Sequence, residues 1–188
     1  MRLPLAAAAT LLATLAPALG ARAVADDEKQ AKPRTVEVEG ISFDVPEAWT
    51  SSPPTSAMRK AQIRVKPVEG DSDPAELVLF VFPGGAGTVE SNVERWRKQF
   101  TDDAGDTPDV ERKTVKGQNA EVTRVEVGGT YKDPFAPGGP KEGYRLLGAI
   151  VQTDKAGYFF KMVGPEKTMA AAEPAFDKLL SSIKTSGK

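Results

Sequence analysis

Leu77 to Phe82 is an unbroken run of apolar residues, bounded by the acidic turn Glu69 to Pro74 before it and by the break Pro83 to Gly87 after it. An apolar run this short, with turn signals at both ends, reads as a strand. Successive side chains on a strand point to opposite faces. A strand that is apolar at every position therefore needs cover on both sides, and a chain built around it folds as a sheet between two layers. The sequence also supplies helices for those layers. After the break, Thr88 offers an N-cap hydroxyl. Val89, Val93, Trp96 and Phe100 then fall at i, i+4, i+7 and i+11, a single apolar stripe, with Glu90, Glu94, Arg97 and Lys98 on the other side. A second helix is predicted from about Thr168 to Ile183, with Phe176, Leu179, Leu180 and Ile183 as its apolar face, extended backwards by Ala172 and Met169. Pro174 lies inside that pattern and either kinks this helix or starts another at its first turn.

The remaining strands follow from alternation and turn chemistry. Val36 and Val38, the turn Glu39-Gly40, and Ile41, Phe43 and Val45 form a hairpin that Pro46 stops. Trp49 follows in a loop near Pro53 and Pro54, and a short strand covers Gln62 to Lys66. Beyond the first helix, strands are predicted at Val110 to Val115, Ala120 to Val127, Tyr144 to Gln152 and Tyr158 to Val163, joined pairwise by turns at 116–119 and 154–157. Gly128 to Gly143 reads as a long Gly/Pro loop. The order is ββββ-α-ββββ-α. It describes an α+β domain, with an antiparallel sheet of about seven to eight strands and helices packed on it.

Ahead of the domain, Arg2 and the Ala/Leu-rich run Leu3 to Leu19 lead to Ala23-Val24-Ala25, the small-x-small pattern of a signal-peptidase site. Residues 1–25 are expected to be a cleaved signal peptide; a cut after Gly20 and a retained membrane anchor are the alternatives. Residues 26–34 read as a charged, disordered leader, and 35–188 as a single domain. The expected compartment is secreted or periplasmic. There is no cysteine and no histidine. Disulfides, thiol catalysis, Ser-His-Asp triads and Cys- or His-ligated metals are excluded with them, so the core alone must hold an exported chain together. With 25 Lys+Arg against 26 Asp+Glu, the net charge of −1 gives no bulk basic field for nucleic acid.

Few patterns carry chemistry. The loop Pro83 to Gly87 opens a helix but lacks the third glycine of a dinucleotide fingerprint and the lysine of a P-loop, and reads as a plain connection. Ser181-x-x-Lys184 matches the Ser-x-x-Lys of penicillin-interacting enzymes, but it sits at the close of a helix instead of its start and is expected to face solvent. Asp71, Asp73 and Glu76, and again Asp102, Asp103, Asp106 and Asp109, form acidic turns that could hold calcium, though neither has EF-hand spacing. They read as solvated loops. The stretch from Tyr131 to Pro140 is the most informative. Long loops in compact domains are often functional. Tyr131, Lys132, Asp133 and Phe135, on a backbone stiffened by Pro134, Pro137 and Pro140, form a candidate partner-binding loop; the alternative is that the two rings fold back to cap the sheet.

Gly40-x-x-Phe43-x-x-Pro46-x-x-Trp49 resembles the opening of the PsbP-like superfamily, as does the order of elements. That superfamily spans an extrinsic photosystem protein, a bacterial periplasmic lipoprotein and a yeast Ran-binding protein. Asn92-x-x-Arg95-Trp96-x-x-Gln99-Phe100 and Lys161-Met162-Val163-Gly164-Pro165 resemble a bacterial exported subgroup of it. The resemblance implies an α/β/α sandwich. It implies no activity, because one fold hosts many functions. The expectation is an exported, non-catalytic binding or accessory module for a protein or small ligand. It is expected to have no catalytic or metal-binding residues and no cofactor, to bind no nucleic acid, to be non-spanning after signal cleavage, and to be monomeric. Two alternatives stand beside it. One is a carrier of a small apolar ligand between sheet and helix, which requires a real cavity. The other is a small carboxylate- or Ser/Lys-dependent hydrolase, which requires a pocket with converging groups of shifted pKa.

Overall fold

The computed structural model describes residues 32–133 and 138–186. The first hairpin is β1 (Arg34–Val38) and β2 (Ile41–Val45), and β3 (Thr50–Ser52), β4 (Arg59–Val65) and β5 (Ala75–Pro83) follow. Next come α1 (Val89–Arg97), β6 (Phe100–Thr101), β7 (Glu111–Lys116), β8 (Glu121–Tyr131), β9 (Lys141–Gln152) and β10 (Ala156–Pro165). The described chain closes with α2 (Glu166–Ser182) and β11 (Lys184–Thr185). The main antiparallel sheet has eight strands, in the order β3-β4-β5-β10-β9-β8-β6 with β7 also paired to β8. The sequence led to a sheet of this size, but its membership differs. The first hairpin stands apart, forming a separate three-stranded sheet with β11.

The strand that carries the apolar run Leu77 to Phe82, β5, lies inside the sheet between β4 and β10. Leu77, Leu79 and Val81 face one side, together with Phe160 and Met162 of β10 and Leu147 and Ala149 of β9. The cover there is α2, through Met169, Phe176, Leu179 and Leu180, and the small sheet, through Ile41, Phe43 and Val45. Phe43 meets Phe160 edge-on at 5.0 Å between ring centroids. Pro174 sits within α2 without dividing it: the helix runs unbroken from Glu166 to Ser182. Its N-cap residue, Pro165, has no side-chain acceptor. Asp71 serves instead from the acidic turn, its Oδ2 accepting from the Thr168 N–H at 2.8 Å and the Thr168 hydroxyl at 2.7 Å.

On the opposite face stand Val78, Phe80 and Phe82 of β5, Phe159, Lys161 and Val163 of β10, and Leu146 and Ile150 of β9. The cover here is α1, which has nine residues against the seventeen of α2. Thr88 caps it, its hydroxyl accepting from the Ser91 N–H at 3.1 Å, and Val93 and Trp96 are buried beneath it. Phe100 is buried too. It sits on β6 opposite Tyr131 instead of on the helix stripe, because α1 ends at Arg97. Trp96 lies over Gly148 on β9, so closely that a Cβ at 148 would overlap the indole ring.

The Gly/Pro loop proves shorter than the sequence suggested. Gly128 and Gly129 read as breakers, yet β8 runs through both to Tyr131, and β9 begins at Lys141. Gly129 has φ 135° and the β8–β9 register shifts between Gly129 and Tyr131, so the glycine marks a bulge and not the end of the strand.

The Trp96–Gly148 contact sets how closely α1 approaches the sheet. Trp96→Ala is expected to cost roughly 3–5 kcal/mol, and Gly148→Ala about 1–3 kcal/mol through overpacking. The double variant should lose measurably less than the sum of the two, because the alanine methyl occupies space the indole has left. Urea denaturation of the four chains checks this; strict additivity would place the indole elsewhere.

Candidate functional site

Because α1 is short, it covers only part of its face of the sheet. The remainder is a trough of about 610 Å³ between α1, the sheet and the end of β8. That volume is in the range of small-ligand sites. Its floor is apolar: Phe80 and Phe82 of β5 and Val163 of β10 are only half-buried, beside Val78 and Phe159. Phe82 and Phe159 meet edge-on at 5.7 Å. Trp96 and Gln99 form the wall on the α1 side. Met58, the one large apolar side chain found exposed among the described residues, stands on the opposite rim.

Two charged side chains of the central strands lie on this face, Glu76 of β5, which is tied to Arg59, and Lys161 of β10, which among the described residues has no carboxylate in direct hydrogen bond. Lys161 lies in the middle of β10, opposite Val78 on β5 and Gly148 on β9. Its Nζ donates to Gln99 Oε1 at 2.7 Å and to the Tyr131 hydroxyl at 3.1 Å, and it lies over the Tyr131 ring. The Tyr131 hydroxyl in turn donates to Asp133 Oδ2 at 3.2 Å. Both hydrogen-bond partners of the ammonium are thus uncharged, and among the described residues they occupy two of its three donors. Burial pushes the Lys161 pKa down from 10.5 to about 8; the Asp133 carboxylate draws it back up and the Arg59 guanidinium presses it further down. Burial, reinforced by Asp133, moves the Tyr131 hydroxyl the other way, upward. Both groups are therefore predominantly protonated at neutral pH, and the site presents donors.

The other ionic groups around the trough are mostly paired. Arg59 bonds Glu76 at 2.8 Å, and Gln62 donates to the same carboxylate at 2.7 Å. Lys141 and the Tyr144 hydroxyl both donate to Asp73 Oδ2, at 2.7 and 2.6 Å. Those hydrogen bonds lower the Asp73 pKa and raise that of Lys141. Among the described residues no group of three or more acidic side chains is placed to hold a metal ion. The acidic turns are occupied structurally: Asp71 caps α2, Asp73 holds Lys141, and Asp102 Oδ1 accepts from the N–H groups of Ala104 and Asp106.

The structure separates the residues that the sequence had grouped. Tyr131 is buried at the end of β8, packed on Phe100 at 5.0 Å and stacked parallel to Tyr144 at 6.2 Å, with its hydroxyl in the trough. Asp133 also lines the trough. Lys132 is exposed, and its N–H donates to the Gln99 carbonyl. Phe135 lies outside the described residues. Ser181 and Lys184 are exposed, and the Ser181 hydroxyl donates to the Asp177 carbonyl. Lys161 itself was missed, although its signal was present: it is the only charged residue in the otherwise apolar run from Tyr158 to Val163. Asn92, Arg95, Trp96 and Gln99 on one segment and Lys161 and Val163 on another all line the trough.

Comparison with solved structures identifies the architecture as the PsbP-like α/β/α sandwich. The solution structure of cyanobacterial PsbP (CyanoP) from Synechocystis sp. PCC 6803 is similar over 82% of this chain and 93% of that one, at 15% identity and a TM-score of 0.54. LpqN, involved in cell envelope biogenesis of Mycobacterium tuberculosis, is similar over 83% and 91%, at 11% identity and a TM-score of 0.53. At these identities the likeness is one of fold. No family model and no curated protein sequence matches the chain.

A lysine whose pKa is depressed by folding binds fewer protons in the native than in the unfolded state between the two values. Its burial cost is present in full below about 8 and is relieved as pH rises toward 10.5. Lys161→Met should therefore be more stable than wild type at pH 7, by about 1–3 kcal/mol. The gap should close as the pH climbs through that window. Paired denaturant melts at pH 7 and pH 10 measure it; a gap that widens with pH would mean the ammonium is stabilised by the fold.

Proposed function

We propose that this chain is an exported, non-catalytic binding module that holds a small ligand with an apolar body in the trough between α1 and the sheet. The observation that carries the reading is the trough: about 610 Å³ floored by half-buried phenylalanines, with the half-buried Lys161 ammonium as a polar handle beside them. An apolar floor that fixes a ligand through a few placed polar groups is the general form of a small-molecule site. A cavity between sheet and helix is also what distinguishes a ligand carrier from a closed sandwich. The loop that the sequence marked for partner binding becomes, on this reading, one wall of the site, through Tyr131 and Asp133.

Two converging groups of shifted pKa would also suit a small hydrolase. The direction of the shifts favours binding. Tyr131 is moved away from ionisation, and Lys161, at about 8, is still mostly protonated at pH 7. No histidine exists to serve as a base. Two protonated donors hold an acceptor; they do not make a nucleophile and its base.

Export rests on the Ala23-Val24-Ala25 box, with residues 26–34 as a leader to a single soluble, monomeric domain from residue 35. Among the described residues no helix is long and apolar enough to cross a membrane. N-terminal sequencing of native protein is expected to begin at Asp26; a retained Met1 or Arg2 in a membrane fraction overturns this.

An uncharged apolar dye such as Nile red should bind saturably, at about one per chain. Phe80→Glu should abolish the binding while the melting temperature stays within a few degrees of wild type, since Phe80 is half-buried. Ser181→Ala, on the α2 side, should leave it unchanged. Non-saturable binding, or binding indifferent to Phe80→Glu, refutes the trough as the site.

A further inference from the structure

The chemistry of the trough narrows its ligand. Among the described residues lining it are four cationic side chains, Arg59, Arg95, Lys141 and Lys161, and two carboxylates, Glu76 and Asp133. Arg59 answers Glu76 directly. Asp133 accepts the Tyr131 hydroxyl, while Lys141 is held outward by Asp73 and Tyr144. Arg95 is exposed and donates to Asn92, and Lys161, half-buried on the floor itself, has hydrogen-bond partners that are both uncharged, so the balance is positive. A half-buried ammonium with a donor to spare among the described residues is completed by an anionic oxygen more than by any neutral group, because a charge-assisted hydrogen bond in a partly dry site is about twice as strong as a neutral one. A carboxylate supplies that oxygen with a small, planar head. The aromatic floor beside it asks for an apolar chain.

We propose that the trough binds an aliphatic monocarboxylate, its carboxylate on the Lys161 ammonium and its chain along Phe80, Phe82 and Phe159. The proposal rests on the reading of the trough as a ligand site and adds the chemical class of the ligand. The fit is one of charge as well as shape. A carboxylate at Lys161 gives the half-buried ammonium the direct ion pair that Gln99 and Tyr131 do not provide, Asp133 acting on it from behind the Tyr131 hydroxyl. An alcohol of the same chain would keep the apolar contact and forgo the ion pair. An amine would meet Lys161 with like charge and find Glu76 already engaged by Arg59.

Calorimetric titration of the wild-type protein at pH 7 with decanoate and decylammonium below their micellar concentrations, and with decanol below its solubility, tests this. The expected order is decanoate tightest, by roughly ten- to a hundred-fold over decanol, with decylammonium weakest. In Lys161→Met the advantage of decanoate over decanol should vanish while decanol binding persists. Equal binding of decanoate and decanol to the wild type overturns the carboxylate assignment and leaves the apolar site standing. Decylammonium binding tighter than decanoate overturns it too, by assigning the head group to Glu76 and Asp133. If none of the three binds, the trough reading fails with it. The wild-type series decides among these outcomes without relying on the variant to fold.

Discussion

Pairing of β5 with β10 places Leu79 beside Phe160 on one face and Phe80 beside Phe159 on the other. The central sheet therefore carries two apolar surfaces that cannot both face water, and everything packed against it answers that demand. One side is covered by the seventeen-residue α2, with the β1–β2–β11 sheet beside it. Its central side chains, among them Phe160, Met162, Leu147, Phe176 and Ile183, are almost wholly removed from solvent. On the other side, the nine residues of α1 reach only part of the same area. The seat of Trp96 on Gly148 fixes where that cover lies, and the uncovered strip over β5 and β10 is the trough. The site is a consequence of unequal cover on a sheet that requires it twice.

The covered side is not purely apolar. Arg124 on β8 is 3% exposed and faces α2, where its guanidinium reaches Asp177 at 2.8 Å and Glu173 at 2.5 Å, and Glu126 on its own strand at 2.9 Å. Arg145 on β9 joins the same cluster through Glu126 and Glu173. Its pKa rises because these carboxylate contacts outweigh the burial that opposes them. Buried ion pairs contribute less than their Coulomb energy suggests, since desolvation offsets much of it. Their geometry is nonetheless directional in a way that apolar contact is not. Glu173 and Asp177 lie one helical turn apart, and a forked guanidinium that satisfies both admits one rotation and one height of α2 over the sheet. Together with the Asp71 cap at the other end of the helix, this fixes the register of the long cover, while the short cover is fixed by a single ring over a glycine.

Much of this was legible from local pattern. The fully apolar run of β5 announced a three-layer fold, and the stripes of both helices named the side chains that pack. What stayed hidden depended on partners distant in sequence. The two-residue strands β6 and β11 are too short to show a period, and exist because Tyr131 and Ile41 lie opposite them. Gly128 and Gly129 carry the composition of a turn. Only the approach of the Thr101 backbone, which leaves no room for a Cβ at 129, makes them the bulge of a continuing strand. The Arg124 cluster joins β8, β9 and α2, and nothing in any one segment foretells it. The Tyr131 ring packs on Phe100 and Tyr144, the capping arrangement that the sequence offered as the alternative to a partner-binding loop, and its hydroxyl lies in the trough.

Lys161 is where the levels of organisation disagree. Its neighbours Tyr158, Phe159, Phe160, Met162 and Val163 make β10 an apolar strand, and a methionine at 161 would suit that strand better than an ammonium. Within the fold the lysine ties three elements together, β10 to the end of α1 through Gln99 and to the end of β8 through Tyr131. Two neutral hydrogen bonds, however, do not restore what burial removes from a charge, and burial holds the Lys161 pKa below its ordinary value even with Asp133 nearby. The buried guanidinium of Arg124 shows that this fold can supply carboxylates to a charge it means to keep inside. At Lys161 it supplies a glutamine and a tyrosine directly and sets the Asp133 carboxylate behind the tyrosine. Local inconsistencies of this kind concentrate where a protein meets something other than itself. Here the inconsistency lies on a strip of the sheet that, among the described residues, neither helix covers.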